Sequence, residues 1–168
     1  MTSRRPLQFD SWQQVREDLT RLQSGYQAAG KWDLETTANH LNDWLGFPID
    51  GFPRAPLAVR CVFAVLRSTR GQTWLKQILA EKRMRDGMPT LPETVRGGAD
   101  SDGEQQAVSR LLATIDRFET FKGQIQPSPI YGPMDKQTAQ ALQWVHFAHH
   151  LSWLIPDETP PRPSEPSP

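Results

Sequence analysis

Four stretches of the chain space their apolar residues three and four apart, and none sustains the period-two alternation of a half-buried strand. Trp12, Val15, Leu19, Leu22 and Tyr26 make one stripe, and Leu34, Thr37, Ala38, Leu41, Trp44 and Leu45 make a second. Ala107, Val108, Leu111, Leu112, Ile115, Phe118 and Phe121 make a third. The fourth, after Asp135, carries Ala139, Leu142, His146 and Trp153 on one side. That period is the mark of an amphipathic helix, whose apolar face has to be buried against other helices. The expected fold is therefore all-α: a four-helix bundle with short extra helices.

Local signals set the expected boundaries. Ser11 and Gln14 have capping-box spacing at the start of the first helix, and Gly30 is its expected stop. Asp33 caps a second helix to about Leu45, after which Pro48, Gly51 and Pro53 call for a loop. The stretch from Ala55 to Leu66 is apolar nearly all round, so it is expected to be heavily buried, with its β-branched content leaving a strand reading open. A shorter helix, Thr73 to Glu81, follows. Residues 82–102 and the run of Pro127, Pro129, Gly132 and Pro133 read as loops. Asp135 caps the last helix, expected to reach about Ile155 and to end at Pro156.

At 168 residues the chain suits one domain, read as 1–155. The segment 156–168 is almost entirely Pro, Ser, Glu, Asp, Thr and Arg and is expected to be disordered. Lys plus Arg equals Asp plus Glu, 19 against 19, and the short cluster of Lys82, Arg83 and Arg85 is weak, so no nucleic-acid partner is expected. Cys61, the single cysteine, excludes an internal disulfide and, among Val59, Val62 and Phe63, reads as an inert buried thiol. No apolar run approaches the ~20 residues of a membrane span, and no signal-peptide core is present. A cytoplasmic protein with no membrane partner is expected. Trp12, Trp44, Trp74, Trp144 and Trp153 read as core or interface residues, compatible with a homodimer.

Three of the four histidines fall within five residues: His146, His149 and His150. At about 100° per residue, His150 lies about 40° to one side of His146 and His149 about 60° to the other. His146 and His150, at i and i+4, stack one turn apart, so their imidazoles can converge on one ion. His40, the remaining histidine, lies beside the inward stripe of the second helix and would supply a ligand from a different element. An inward histidine is equally what a hydrogen-bonded core residue looks like, and spacing alone does not bring His40 to the pair. Three neutral imidazoles would leave an ion its double charge and an open position.

The segment from Gly30 to Trp44, GKWDLETTANHLNDW, resembles the start of the second helix in DinB/YfiT-like proteins, where a Trp precedes a helix bearing a His-Leu pair. HFAHHLSWL, His146 to Leu154, resembles their last helix with its His-x-x-His-His pattern. PIYGPM, Pro129 to Met134, and DGFP, Asp50 to Pro53, suggest an uncharacterised subgroup. The resemblance spans nearly the whole chain up to the Pro-rich segment. It implies a four-helix bundle with a three-histidine metal site on His40, His146 and His150, with His149 outside the ligand set; neutral imidazole suits zinc, nickel, copper and iron alike, and a divalent ion, zinc or nickel, is expected. It also implies low-molecular-weight thiols such as mycothiol or bacillithiol as partners, since some members are thiol-dependent transferases or isomerases.

Two functional readings follow. In one the chain is an enzyme, a thiol-dependent transferase or a metal-dependent hydrolase, with Asn39, Asp43 and Gln143 as candidates for orienting the imidazoles. In the other it is a metal-binding or stress-response protein in which the ion supports the fold or a bound small molecule without turnover.

Overall fold

The computed structural model describes residues 3–54, 56–87, 94–96 and 103–157. Residues 158–168, most of the segment expected to be disordered, lie outside these. Among the described residues the chain runs α1 (Trp12–Gln23), β1 (Tyr26–Ala28), α2 (Leu34–Asp50), α3 (Leu57–Leu66), a π-helical turn (Arg67–Gly71), α4 (Gln72–Glu81), α5 (Glu104–Thr120), α6 (Lys136–Leu151) and β2 (Leu154–Pro156). The expected all-α bundle is formed by α1, α2, α5 and α6.

Three helix starts follow the sequence signals. The Ser11 hydroxyl accepts from the Gln14 amide (3.3 Å), and the Gln14 side chain accepts from the Asp10 amide (2.8 Å). The carboxylates of Asp33 and Asp135 accept from Thr36 and Thr138 amides, each at 2.7 Å. These bonds satisfy amide hydrogens that have no partner inside the helix. The four stripes then meet in one core around Trp12, whose ring packs edge-on against Phe118, Trp144 and Phe147 at centroid distances of 5.8, 6.1 and 5.4 Å. Val15, Leu19, Leu41, Leu45, Leu111 and Ile115 are fully buried in it.

The first correction concerns the ends of α1 and α6. α1 stops at Gln23, because Gly25 adopts a positive φ of 133° that turns the chain. Tyr26 is therefore not on its stripe. Tyr26–Ala28 pairs antiparallel with Leu154–Pro156, so α6 ends at Leu151 and a two-stranded ribbon exists that no alternation announced. Three residues are too few to show a period. Pro156 belongs to this ribbon, and the Asp157 amide donates to the Gly25 carbonyl (2.9 Å), so these two residues are ordered parts of the fold. Arg5 ties the N-terminal segment to the same end of the molecule. Its guanidinium holds the buried Asp18 carboxylate through two bonds (2.7 and 2.6 Å) and donates to the Leu154 carbonyl (2.8 Å).

A second correction is that α2 runs through Pro48 to Asp50 instead of ending near Leu45. A third is that α3 is not buried. Leu57, Val62 and Val65 are 72, 57 and 60% exposed, and Cys61 is exposed too. The four bundle helices already close the core, and α3, in the long α2–α5 connection, packs mainly against the π turn that follows it. That turn is pinned: a Cβ at Gly71 would collide with the Ile130 carbonyl oxygen, and the Gln72 side chain donates to the Tyr131 carbonyl. Among the described residues no helix is long and apolar enough to cross a membrane.

Candidate metal centre

His40 lies midway along α2, and His146 and His150 lie one turn apart near the end of α6. The two helices bring one ring nitrogen from each of the three residues within 4.8 Å of one another. The Nε2 atoms of His40 and His146 face each other at 3.3 Å. The rings of His40 and His150 are 4.5 Å apart, and those of His146 and His150 4.7 Å.

The alignment of the two helices has a local cause. Proline has no amide hydrogen, so Pro48 leaves the Trp44 carbonyl without its usual partner four residues on. The Gln143 side chain donates to that carbonyl instead (3.0 Å). This bond joins α2 one turn after His40 to α6 just before His146.

All three imidazoles sit in low-dielectric surroundings. Desolvation lowers the His40 pKa to about 4, with the neighbouring His149 adding to the effect. Burial likewise lowers His146, which also feels His150 and His40, and burial lowers His150, which feels His40 and His149. At neutral pH the three rings are therefore uncharged, each with a free lone pair, which is the form that ligates metal. The Thr94 hydroxyl lies 2.9 Å from His40 Nδ1. When that nitrogen carries the hydrogen and donates to Thr94, Nε2 is left as the lone-pair atom facing His146.

This donor set fits a divalent ion. A tetrahedron with metal–nitrogen bonds of about 2.0–2.1 Å has edges of about 3.3 Å, which is the spacing of the His40 and His146 nitrogens. Aromatic walls surround the cluster. The Trp32 ring lies parallel to His150 at 5.1 Å and tilted to His40 at 5.0 Å, and Trp44 meets His146 edge-on at 5.8 Å.

His149 is placed elsewhere. Its Nδ1 is 3.8 Å from the Asp86 carboxylate, which Arg4 holds at 2.6 Å. The residues proposed to orient the imidazoles do other work. Asn39 donates to the Arg96 carbonyl (3.1 Å) and accepts from Arg110 (3.0 Å), Asp43 pairs with Arg96 (2.7 Å), and Gln143 holds Trp44. Thr94, the residue that does touch a ring nitrogen, was missed. It comes from the Gly- and Pro-rich connection, where a threonine carries no periodic signal. Asn39 and Asp43 instead fasten residues 94–96 onto α2, so they act on His40 through that segment.

Comparison with curated proteins and with solved structures gives no significant match. A family model described as a protein of unknown function (DUF1569) matches residues 1–157, which cover the whole bundle, the ribbon and all three histidines. The match accords with the resemblance to DinB/YfiT-like proteins carried by the helix-two and helix-six segments. The chain belongs to the DUF1569 family.

Proposed function

We propose that His40, His146 and His150 hold one divalent metal ion, zinc or nickel, and that the centre serves a thiol-dependent transfer or a metal-dependent hydrolysis. The observation that carries this reading is the convergence of three uncharged imidazole nitrogens, from two helices, within 4.8 Å. Imidazole suits either metal, and three neutral ligands leave coordination open. A divalent ion held there supplies Lewis acidity that makes a thiol or a water a nucleophile near neutral pH.

The protein's own share is positioning. The Thr94 hydroxyl lies where it can accept the hydrogen of His40 Nδ1 and leave Nε2 for the ion, Gln143 ties α6 to α2, and Trp32 and Trp44 wall the cluster with flat aromatic surface that suits an organic substrate. A low-molecular-weight thiol is the proposed partner.

A second reading, metal binding without turnover, draws on one observation. Among the described residues no carboxylate joins the three histidines, and the nearby Asp43 is tied to Arg96. Elemental analysis of untagged protein tests the metal. Titrating a thiol into the cobalt-substituted protein tests the thiol branch. A new thiolate-to-metal absorption band supports thiol-dependent transfer, and a spectrum blind to thiol removes that branch and leaves hydrolysis or binding without turnover.

A further inference from the structure

α3 combines two features that a solvated helix avoids. Leu57, Cys61 and Val65 follow one another at i, i+4 and i+8, with Val62 beside them, and all four are exposed. Phe63 and Leu66, on the other side, are half-buried. Arg60 and Arg67, two turns apart, flank the apolar row.

The charge along this part of the sequence is one-signed. Residues 51–80 contain Arg54, Arg60, Arg67, Arg70 and Lys76 and no Asp or Glu. All five cations are exposed, and among the described residues none of them forms an ion pair. By contrast, Arg4, Arg5, Arg16, Arg21, Lys82, Arg96 and Arg117 are all paired with carboxylates.

We propose that α3 and its flanking cations form a docking surface for an anionic lipid bilayer, with the helix lying in the headgroup layer. Leu57, Val62 and Val65 would enter the acyl boundary, and Arg54, Arg60, Arg67, Arg70 and Lys76 would meet lipid phosphates. Apolar insertion by a short helix and a polybasic patch are each weak signals, and their combination is what holds a protein at a bilayer surface. This is contact with one face of a membrane, which needs no spanning helix.

Charge complementarity selects this occupant. A second copy docking through the same face would bring more unpaired cations and no anion to meet them. Nucleic acid would leave the exposed aliphatic row in water, since bases stack on aromatic rings. The cations are spread over a loop, a helix, a π turn and the next helix, which suits a plane of diffuse negative charge better than the fixed carboxylates of one acidic helix.

The surface involves none of the three histidines, so metal content serves as an independent control. The experiment is flotation of the full-length protein with vesicles of phosphatidylglycerol and phosphatidylcholine in equal parts, against phosphatidylcholine alone, at low and high salt. An environment-sensitive fluorophore on Cys61 reports burial of the row. Expected are binding to the anionic vesicles that is at least about tenfold stronger than to neutral ones and weakens with salt, and a blue shift of the fluorophore. Val62→Asp with Val65→Asp, and separately Arg60→Glu with Arg67→Glu, should each reduce binding about tenfold or more, with helicity and metal content unchanged. Absence of binding to anionic vesicles, or binding that both double variants retain, would overturn the proposal. So would binding to an acidic amphipathic peptide without any partition to vesicles, an outcome that assigns the face to a protein.

Discussion

His40 Nε2 and His146 Nε2 face each other at 3.3 Å across 106 residues of sequence, each on a different helix and each with a pKa lowered by burial. Two buried ring nitrogens this close need a hydrogen or a cation between them, and with a third imidazole beside them a cation is the proposed occupant: about one divalent ion per chain is expected. His146→Ala and His150→Ala should lose it, and His149→Ala should keep it, because His149 faces Asp86. Elemental analysis of the three variants decides; equal losses from His149→Ala and His150→Ala would refute the assignment.

Metal should also bind the folded bundle far better than the unfolded chain. With free ion near 100 times its dissociation constant, linkage adds about 2.7 kcal/mol. For a domain of this size that is about 5 to 10 °C in Tm. Thermal unfolding with and without chelator should show this shift in the wild type and lose most of it in His40→Ala. An undiminished shift in the variant would remove His40 from the site.

Thr94 should matter through the His40 tautomer. Thr94→Val keeps the shape and removes the acceptor for Nδ1–H, and is expected to weaken metal affinity about tenfold. Thr94→Ser should restore most of it. Competition titration with a chromogenic chelator measures both, and equal affinity of the Val and Ser variants would show that the hydroxyl plays no part.

The pH dependence has a definite sign. In metal-free protein the folded His40 has its pKa lowered from 6.5 to about 4, so between these values the unfolded chain binds more protons than the folded one. Stability contributed by keeping this ring neutral is fully present above about pH 6.5 and is lost as pH falls toward 4, by about 3 kcal/mol from His40. Urea unfolding of chelator-treated protein at pH 7.5, 5.5 and 4.5 should give falling stability (pH values chosen to bracket the window). His40→Gln should make the profile shallower by the share of His40, while His146 and His150 keep the rest of the slope, and a profile as steep as that of the wild type would contradict the assignment.

Asp18→Ala tests the junction at the N-terminus. It removes a fully buried carboxylate and leaves the Arg5 guanidinium without its anion. The expected loss is about 3 kcal/mol in chemical denaturation, and a loss below about 1 kcal/mol would show that Arg5 is satisfied by the Leu151 and Leu154 carbonyls alone.

The bundle was legible because its evidence is periodic. Stripes such as Val15–Leu19–Leu22 and caps such as Asp33 and Asp135 state their role within a single turn of helix, and the His146/His150 pair is of the same kind. What the sequence hid depends on partners far along the chain. Tyr26–Ala28 is a strand only because Leu154–Pro156 lies beside it. Hydrophobicity in α3 announced a need for cover without saying that the cover is absent from the bundle, so Val62, Val65 and Cys61 were misplaced. Pro48 was read as a helix end, although a proline near the last turn can be carried when another group takes the freed carbonyl.

That substitution of partners gives the proline a mechanical meaning. An ordinary helix seals its carbonyls internally and offers a neighbour only side chains, which tolerate sliding. Opening one backbone acceptor at Trp44 creates a fixed notch on α2, and Gln143 is the tooth that enters it. A displacement of α6 by one helical turn, about 5.4 Å, would disengage the tooth and carry His146 and His150 past His40. The missing hydrogen of Pro48 thus works as a vernier: it converts a small defect in one helix into the axial zero from which the other is read.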